Sequence, residues 1–180
     1  MSLKGKNIII GVCGGIAAYK ACDLIRALVK EGANVECVLT KNGAEFITPL
    51  TLATLSKNKV WTQMFDANSE WDIDHISLAK KADVMVIAPA TANIVAKLAC
   101  GIADDLLTAT VLASKAKILV CPSMNTNMLD HPATAKNIET LKSYGYEIVN
   151  SQKGELACGD CGDGRLADTE TILSAIKNLK

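Results

Sequence analysis

The sequence predicts an α/β protein built on a doubly wound parallel sheet, and three observations point there. Short β-branched runs recur without clean period-two alternation, as expected of strands buried on both faces of a parallel sheet. Segments with apolar residues at helical spacing separate these runs in strict alternation, which implies right-handed βαβ units. Glycine or proline stands where several of the runs stop.

The first strand is Asn7–Cys13 (NIIIGVC). Ala17–Glu31 follows as a helix, with Ala21, Leu24, Ile25 and Leu28 on one face and Gly32 as its stop. Asn34–Leu39 (NVECVL) is the second strand, and Thr40–Leu55 reads as a turn and then a helix after Pro49. Ala82–Ala88 (ADVMVIA) is the third strand, ended by Pro89. Asn93–Ala99 and Asp104–Ala113 are helical pieces separated by Gly101. Lys117–Cys121 (KILVC) is the fourth strand, again ended by a proline, and Pro132–Ser143 is a helix. Tyr146–Val149 is the fifth strand, and Asp168–Leu179 is a closing helix capped by Asp168 or Thr169. Five strands suit a flavodoxin-like order, the three-layer α/β/α arrangement of Rossmann type. The pattern implies a single domain over residues 1–180. Its one interruption is Asn150–Ala167, eighteen glycine-containing residues without periodicity, which reads as a functional segment or a mobile flap.

Composition narrows the function. With 49% hydrophobic residues and zero net charge over 180 residues, the chain is globular and not disordered. Nineteen basic residues balance nineteen acidic ones and aromatics are 4%, so neither a phosphate-attracting surplus nor a base-stacking platform is present and nucleic acid is not an expected partner. The start, MSLKGKNIII, does not read as a signal peptide, and the apolar stretch Val84–Ala103 is broken by Pro89, Thr91, Asn93 and Lys97, so no membrane partner is expected. Seven cysteines without a signal sequence suggest free thiols in a reducing cytoplasm.

In such sheets ligands bind beyond the carboxyl ends of the strands. After the first strand stands GVCGGIAAYK, where Gly11, Gly14 and Gly15 miss the G-x-G-x-x-G dinucleotide spacing and no G-K-[ST] follows. Either tight packing or backbone amides cradling a phosphate explains this turn. The second strand ends at Thr40, a hydroxyl in place of the acid that would hold an NAD ribose. After the third strand comes APATAN, whose Thr91 and Asn93 serve as helix caps or as further donors to the same ligand; a mononucleotide such as FMN would sit between two such turns. After the fourth comes CPSMNTNML, with Met124 and Met128 as core-edge fillers or ligand contacts and Asn125 as a turn residue or a binding group. The segment GELACGDCGDGRLAD carries Cys158-x-x-Cys161; the other cysteines are scattered, which disfavours zinc, and Arg165 either favours a thiolate or holds an anionic substrate. His75, in WDIDHISLAKK, is an incidental histidine at a surface helix cap or a general base.

Taken in order, GGIAAYK, TPLTLATLS, DHISLAK, APATANIVAKLACGIADDLL, PSMNTNM and GELACGDCGDGR resemble the flavin-containing cysteine decarboxylases, over about Lys6 to Ala167. The similarity is greatest to members acting on 4′-phosphopantothenoylcysteine in coenzyme A biosynthesis. It implies FMN, no metal, a homotrimer or dodecamer with sites shared between subunits, and a synthetase on the same or a separate chain. It also implies the reaction: the cysteinyl thiol is oxidised to a thioaldehyde, carbon dioxide leaves to give an enethiolate, and the electrons return to yield 4′-phosphopantetheine.

By motif position, His75 matches the base that assists oxidation and Cys158 the acid that protonates the enethiolate. Asn125 matches the residue that orients the substrate carboxylate, with Met124 and Arg165 beside the substrate. Gly14, Gly15, Ile16, Thr40, Pro89, Ala90, Thr91, Ala92 and Ser123 match stretches that hold FMN. Two departures stand out: Leu129 follows Met128 where the family has tryptophan, and Cys161 stands where a non-cysteine is expected, which raises a reversible disulfide with Cys158. The rival readings are a peptidyl-cysteine decarboxylase of lantibiotic maturation, which the flap cysteine disfavours, and a non-catalytic flavin-binding regulatory subunit, whose acidic tail is missing from SAIKNLK.

Overall fold

The computed structural model describes residues 1–65, 74–157, 159 and 161–179. Its centre is a parallel sheet built from β1 (Asn7–Val12), β2 (Asn34–Leu39), β3 (Val60–Trp61), β4 (Val84–Ala90), β5 (Lys117–Pro122) and β6 (Glu147–Ile148). The spatial order is β3-β2-β1-β4-β5-β6. Without β3 the five expected strands stand in the flavodoxin-like order. The added edge strand is only two residues long, too short to leave a pattern in the sequence.

The absence of alternation in the strands follows from burial on both faces. Along β1, Ile8, Ile10 and Val12 join one core while Ile9 joins the other. Along β4, Val84, Val86 and Ala88 lie on the first side and Met85 and Ile87 on the second. The first core is closed by α1 (Ala21–Lys30), α2 (Pro49–Ser56) and α8 (Thr169–Asn178). The second is closed by α3 (Asp74–Lys81), α4 (Ala92–Ala99), α5 (Leu106–Ala113) and α7 (Pro132–Ser143). Burying each such Ile or Leu contributes about 1.5–3 kcal/mol, so the sheet is the rigid part of the molecule. The polar exception, Glu36 in β2, accepts from Trp61 Nε1 at 2.9 Å and pairs with Lys81, tying β3 and α3 to the sheet.

Several boundaries differ from the sequence reading. The first helix begins as a 3-10 turn, Ile16–Lys20, before α1. β4 and β5 run through their prolines, Pro89 and Pro122, because the backbone stays extended there. A short helix α6 (Thr126–Asp130) follows β5, and α3 extends the surface helix cap read around His75 into a two-turn helix. Most consequentially, the segment 150–167 carries regular structure among its described residues. They contain an antiparallel hairpin of β7 (Gln152–Glu155) and β8 (Cys161–Arg165) that forms a separate sheet.

Candidate active site

Pairing between β1 and β4 ends at Gly11–Ile87, and β4 shifts register against β5 between Ile87 and Ala90. β1 lies between β2, on one side, and β4, on the other, so this is where the strand order reverses and a crevice opens. The crevice holds a cavity of about 1010 Å³. That is the upper end of the range for small-molecule and cofactor sites.

One wall is the turn after β1. Gly14, Gly15 and Ile16 line it, with Thr40 and Asn42 from the turn after β2. Gly14 is required by packing, since a Cβ there would stand 2.5 Å from Asn42 Cβ. Gly15 is not so constrained; its Cβ would meet only Thr91 Cγ2, at 3.7 Å. Thr40 Oγ1 accepts Gly43 N–H at 3.1 Å within its own turn and donates to Val12 O at 3.3 Å, which holds the second turn against the end of β1. The Cys13 thiol at this wall is pushed up to about 12, mainly by burial, and remains protonated near neutral pH.

A second wall is the turn into α4, where Pro89, Thr91 and Ala92 line the cavity. Thr91 Oγ1 caps α4 by accepting Ile94 N–H at 3.3 Å, which leaves the amides of the first turn to bind an anion. Behind them Lys97, also at the cavity, pairs with Asp104 at 2.7 Å and Asp105 at 3.2 Å. Asp105 lines the cavity too and caps α5 through a capping box with Thr108.

The third wall is the loop after β5 with Ser123, Met124 and Asn125, and the hairpin lies over it. Met124 N–H donates to Gly164 O at 3.0 Å, and Thr126 Oγ1 donates to Asp163 O at 2.7 Å. Both glycines of β8 answer to this dock. A Cβ on Gly162 would stand 2.5 Å from Thr126 Oγ1, and one on Gly164 2.1 Å from Met124 O. Asn125 Oδ1 accepts Asn127 N–H at 2.9 Å, which fixes its amide at the cavity wall. The hairpin also brings Leu156, Ala157 and Arg165 to the cavity.

Gly14, Gly15, Ile16, Thr40, Pro89, Thr91, Ala92, Ser123, Met124, Asn125 and Arg165, all expected at the site, therefore meet around one cavity. Ala90 does not line it, because it is fully buried in the second core and its carbonyl accepts Ser123 N–H at 2.8 Å. His75, in the first turn of α3, does not line it either. Cys158 lies outside the described residues, and Cys161 is exposed at the start of β8. Among the described residues no group of three His, Cys, Asp or Glu could hold a metal, and no helix is long and apolar enough to cross a membrane. The sequence reading missed Lys97 and Asp105, although Asp105 starts a capping box just ahead of an apolar run, a legible helix-start signal.

The bifunctional coenzyme A biosynthesis protein of Bacillus subtilis is 46% identical over 171 residues, which cover 95% of this chain and 42% of that protein. The chain thus spans less than half the length of such bifunctional relatives. A probable phosphopantothenoylcysteine decarboxylase of Streptococcus mutans is 44% identical over 174 residues, covering 96% of this chain and 97% of that one. Among solved structures, a PPC decarboxylase mutant complexed with pantothenoylaminoethenethiol superimposes with a TM-score of 0.86 at 30% identity, covering 97% of both chains. The Flavoprotein family model matches residues 1–180, and the chain belongs to the flavoprotein family.

Proposed function

We propose that the chain is an FMN-dependent decarboxylase that converts 4′-phosphopantothenoylcysteine to 4′-phosphopantetheine in cytoplasmic coenzyme A biosynthesis. The observation that carries this reading is the meeting, in one cavity, of two polar turns with the Asn125 loop and the hairpin docked on it. The relatives named for this activity support it.

The residues fit FMN by their chemistry. The Gly14–Gly15 turn, the Thr40 hydroxyl and the amides at the start of α4 suit a phosphate and a polyol, while Ile16, Met124 and Leu156 supply apolar wall for a ring. When bound, FMN supplies a two-electron acceptor and donor, which provides the electron sink that carbon dioxide loss requires. The chain's own groups do the rest. Asn125 binds and orients the carboxylate that departs. The docked hairpin closes the cavity against water. Cys158, which falls between β7 and β8 in the sequence, gives the proton that quenches the enethiolate. His75, which is absent from the cavity of its own chain, serves as base in the cavity of a neighbouring copy within a homotrimer.

The test is direct. Purified protein should be yellow with bound FMN and should release carbon dioxide from 4′-phosphopantothenoylcysteine, with 4′-phosphopantetheine identified by mass. A preparation that refuses FMN added in excess, or that decarboxylates only a cysteine-ended peptide, overturns the assignment.

A further inference from the structure

Beside the main cavity lies a second cleft of about 250 Å³, and Lys20 and Arg165 line both. Lys20 ends the 3-10 turn after β1 and is half-buried, and Arg165 ends β8. Neither cation forms an ion pair with a described carboxylate. Two acids share the smaller cleft. Asp168 is held by Thr171 N–H at 2.7 Å and Gln152 Nε2 at 3.0 Å and also faces the charge of Arg165, and Asp23 lies on α1. The Lys20 ammonium is held below its ordinary pKa, first by burial and then by the charge of Arg165. The fold thus keeps two like charges within reach of each other, one of them partly out of water. Asp168 offsets part of the Arg165 charge, and an anion reaching both cations would offset the remaining cost.

From this geometry we infer that Lys20 and Arg165 form a two-cation subsite for the phosphomonoester end of the substrate. The inference rests on the proposed function, in which the substrate carries a phosphate at the end remote from its reacting cysteine. A dianionic phosphate neutralises both charges, and its several oxygens accept from an ammonium and a guanidinium together. The carboxylate end is then left to Asn125, so the cavity fixes the substrate at two points. The subsite would also discriminate against cysteine-ended peptides, which lack the phosphate.

The experiment uses the FMN-loaded chain and two probes, 4′-phosphopantetheine and pantetheine, with affinities read by calorimetry. The phosphorylated probe is expected to bind at least about tenfold tighter, as loss of a charge-assisted contact implies. In Lys20→Gln that ratio should fall by about tenfold, and Lys20→Arg should restore most of it. Equal binding of both probes, or a ratio unmoved in Lys20→Gln, overturns the subsite. Loss of FMN from Lys20→Gln overturns it as well, by assigning the pair to the cofactor's phosphate. Absence of carbon dioxide release with the binding ratio intact would instead overturn the proposed reaction, so the two failures are distinct.

Discussion

Replacing Gly164 with alanine should detach the hairpin from the loop that carries Asn125 while leaving the sheet intact. The added Cβ would stand 2.1 Å from Met124 O, more than an ångström inside ordinary contact, and that atom is backbone that no rotamer change can move away. Gly164 also sits at φ +130°, a conformation that L side chains rarely adopt. Separation costs the bonds from Met124 N to Gly164 O and from Thr126 Oγ1 to Asp163 O, each worth about 1 kcal/mol net. Strain at the residue adds about 1–3 kcal/mol. A total of about 3–5 kcal/mol shifts the docked-to-open equilibrium roughly 150- to 4,000-fold. The hairpin is a two-stranded sheet outside both cores, so global stability should fall far less than docking does. Hydrogen exchange should therefore lose protection at Met124 and across residues 152–165, with β1, β4 and β5 unchanged and the melting temperature within a few degrees. Retained protection at Met124 N–H, or collapse of the sheet together with the hairpin, would refute this account of how the flap is held.

Three further outcomes are expected. Cys158→Ser should still release carbon dioxide but should accumulate a product lighter by two hydrogens, detected by mass spectrometry; normal yields of reduced product would remove Cys158 from the proton-donor role. His75→Ala and Asn125→Ala should each be inactive with FMN bound, yet their co-expression should restore part of the activity through mixed oligomers that contain one intact site; no restoration would place His75 outside the neighbouring site. For pH, the Asp168 carboxyl is lowered to about 2, first by its bond with Thr171 and then by Gln152. Its capping of α8 is thus fully present above the unfolded pKa of about 3.9 and is lost as pH falls through about 2. The difference in melting temperature between the wild type and Asp168→Asn should accordingly shrink between pH 4 and pH 2, and a constant difference would contradict the linkage.

The elements legible in the sequence are those whose residues answer to one environment along their length. β1, β2, β4 and β5 read correctly because both faces are apolar, and α7 read to the residue, Pro132–Ser143, because proline at its first position and a polar outer face mark its limits. The hairpin was illegible for the opposite reason. QKGE and CGDGR show no alternation because neither face of that sheet joins a core; their glycines answer to a backbone dock that no periodicity encodes. β3 and α3 are both held partly by Glu36, through Trp61 and Lys81, and side-chain pairings between distant segments leave no periodicity in the sequence.

The site was legible mainly through position, because strand ends in a doubly wound sheet converge on the switch point. Residue type alone left the glycine turn ambiguous between packing and anion binding, and the structure divides the answer residue by residue. A Cβ on Gly14 would stand 2.5 Å from Asn42 Cβ and 2.7 Å from its backbone carbon, and one on Gly11 would stand 2.5 Å from the end of the Leu107 side chain, so packing accounts for Gly14 firmly and for Gly11 in part. Gly15 has neither reason: its Cβ would find ordinary contact, and its φ of −161° is extended backbone open to any residue. A glycine that the protein interior does not demand, at the cavity wall and at the start of a 3-10 turn, fits the proposed close approach of a ligand from the cavity. The phosphate reading of this turn therefore stands on Gly15 and the adjoining amides, and the other two glycines lend it no weight.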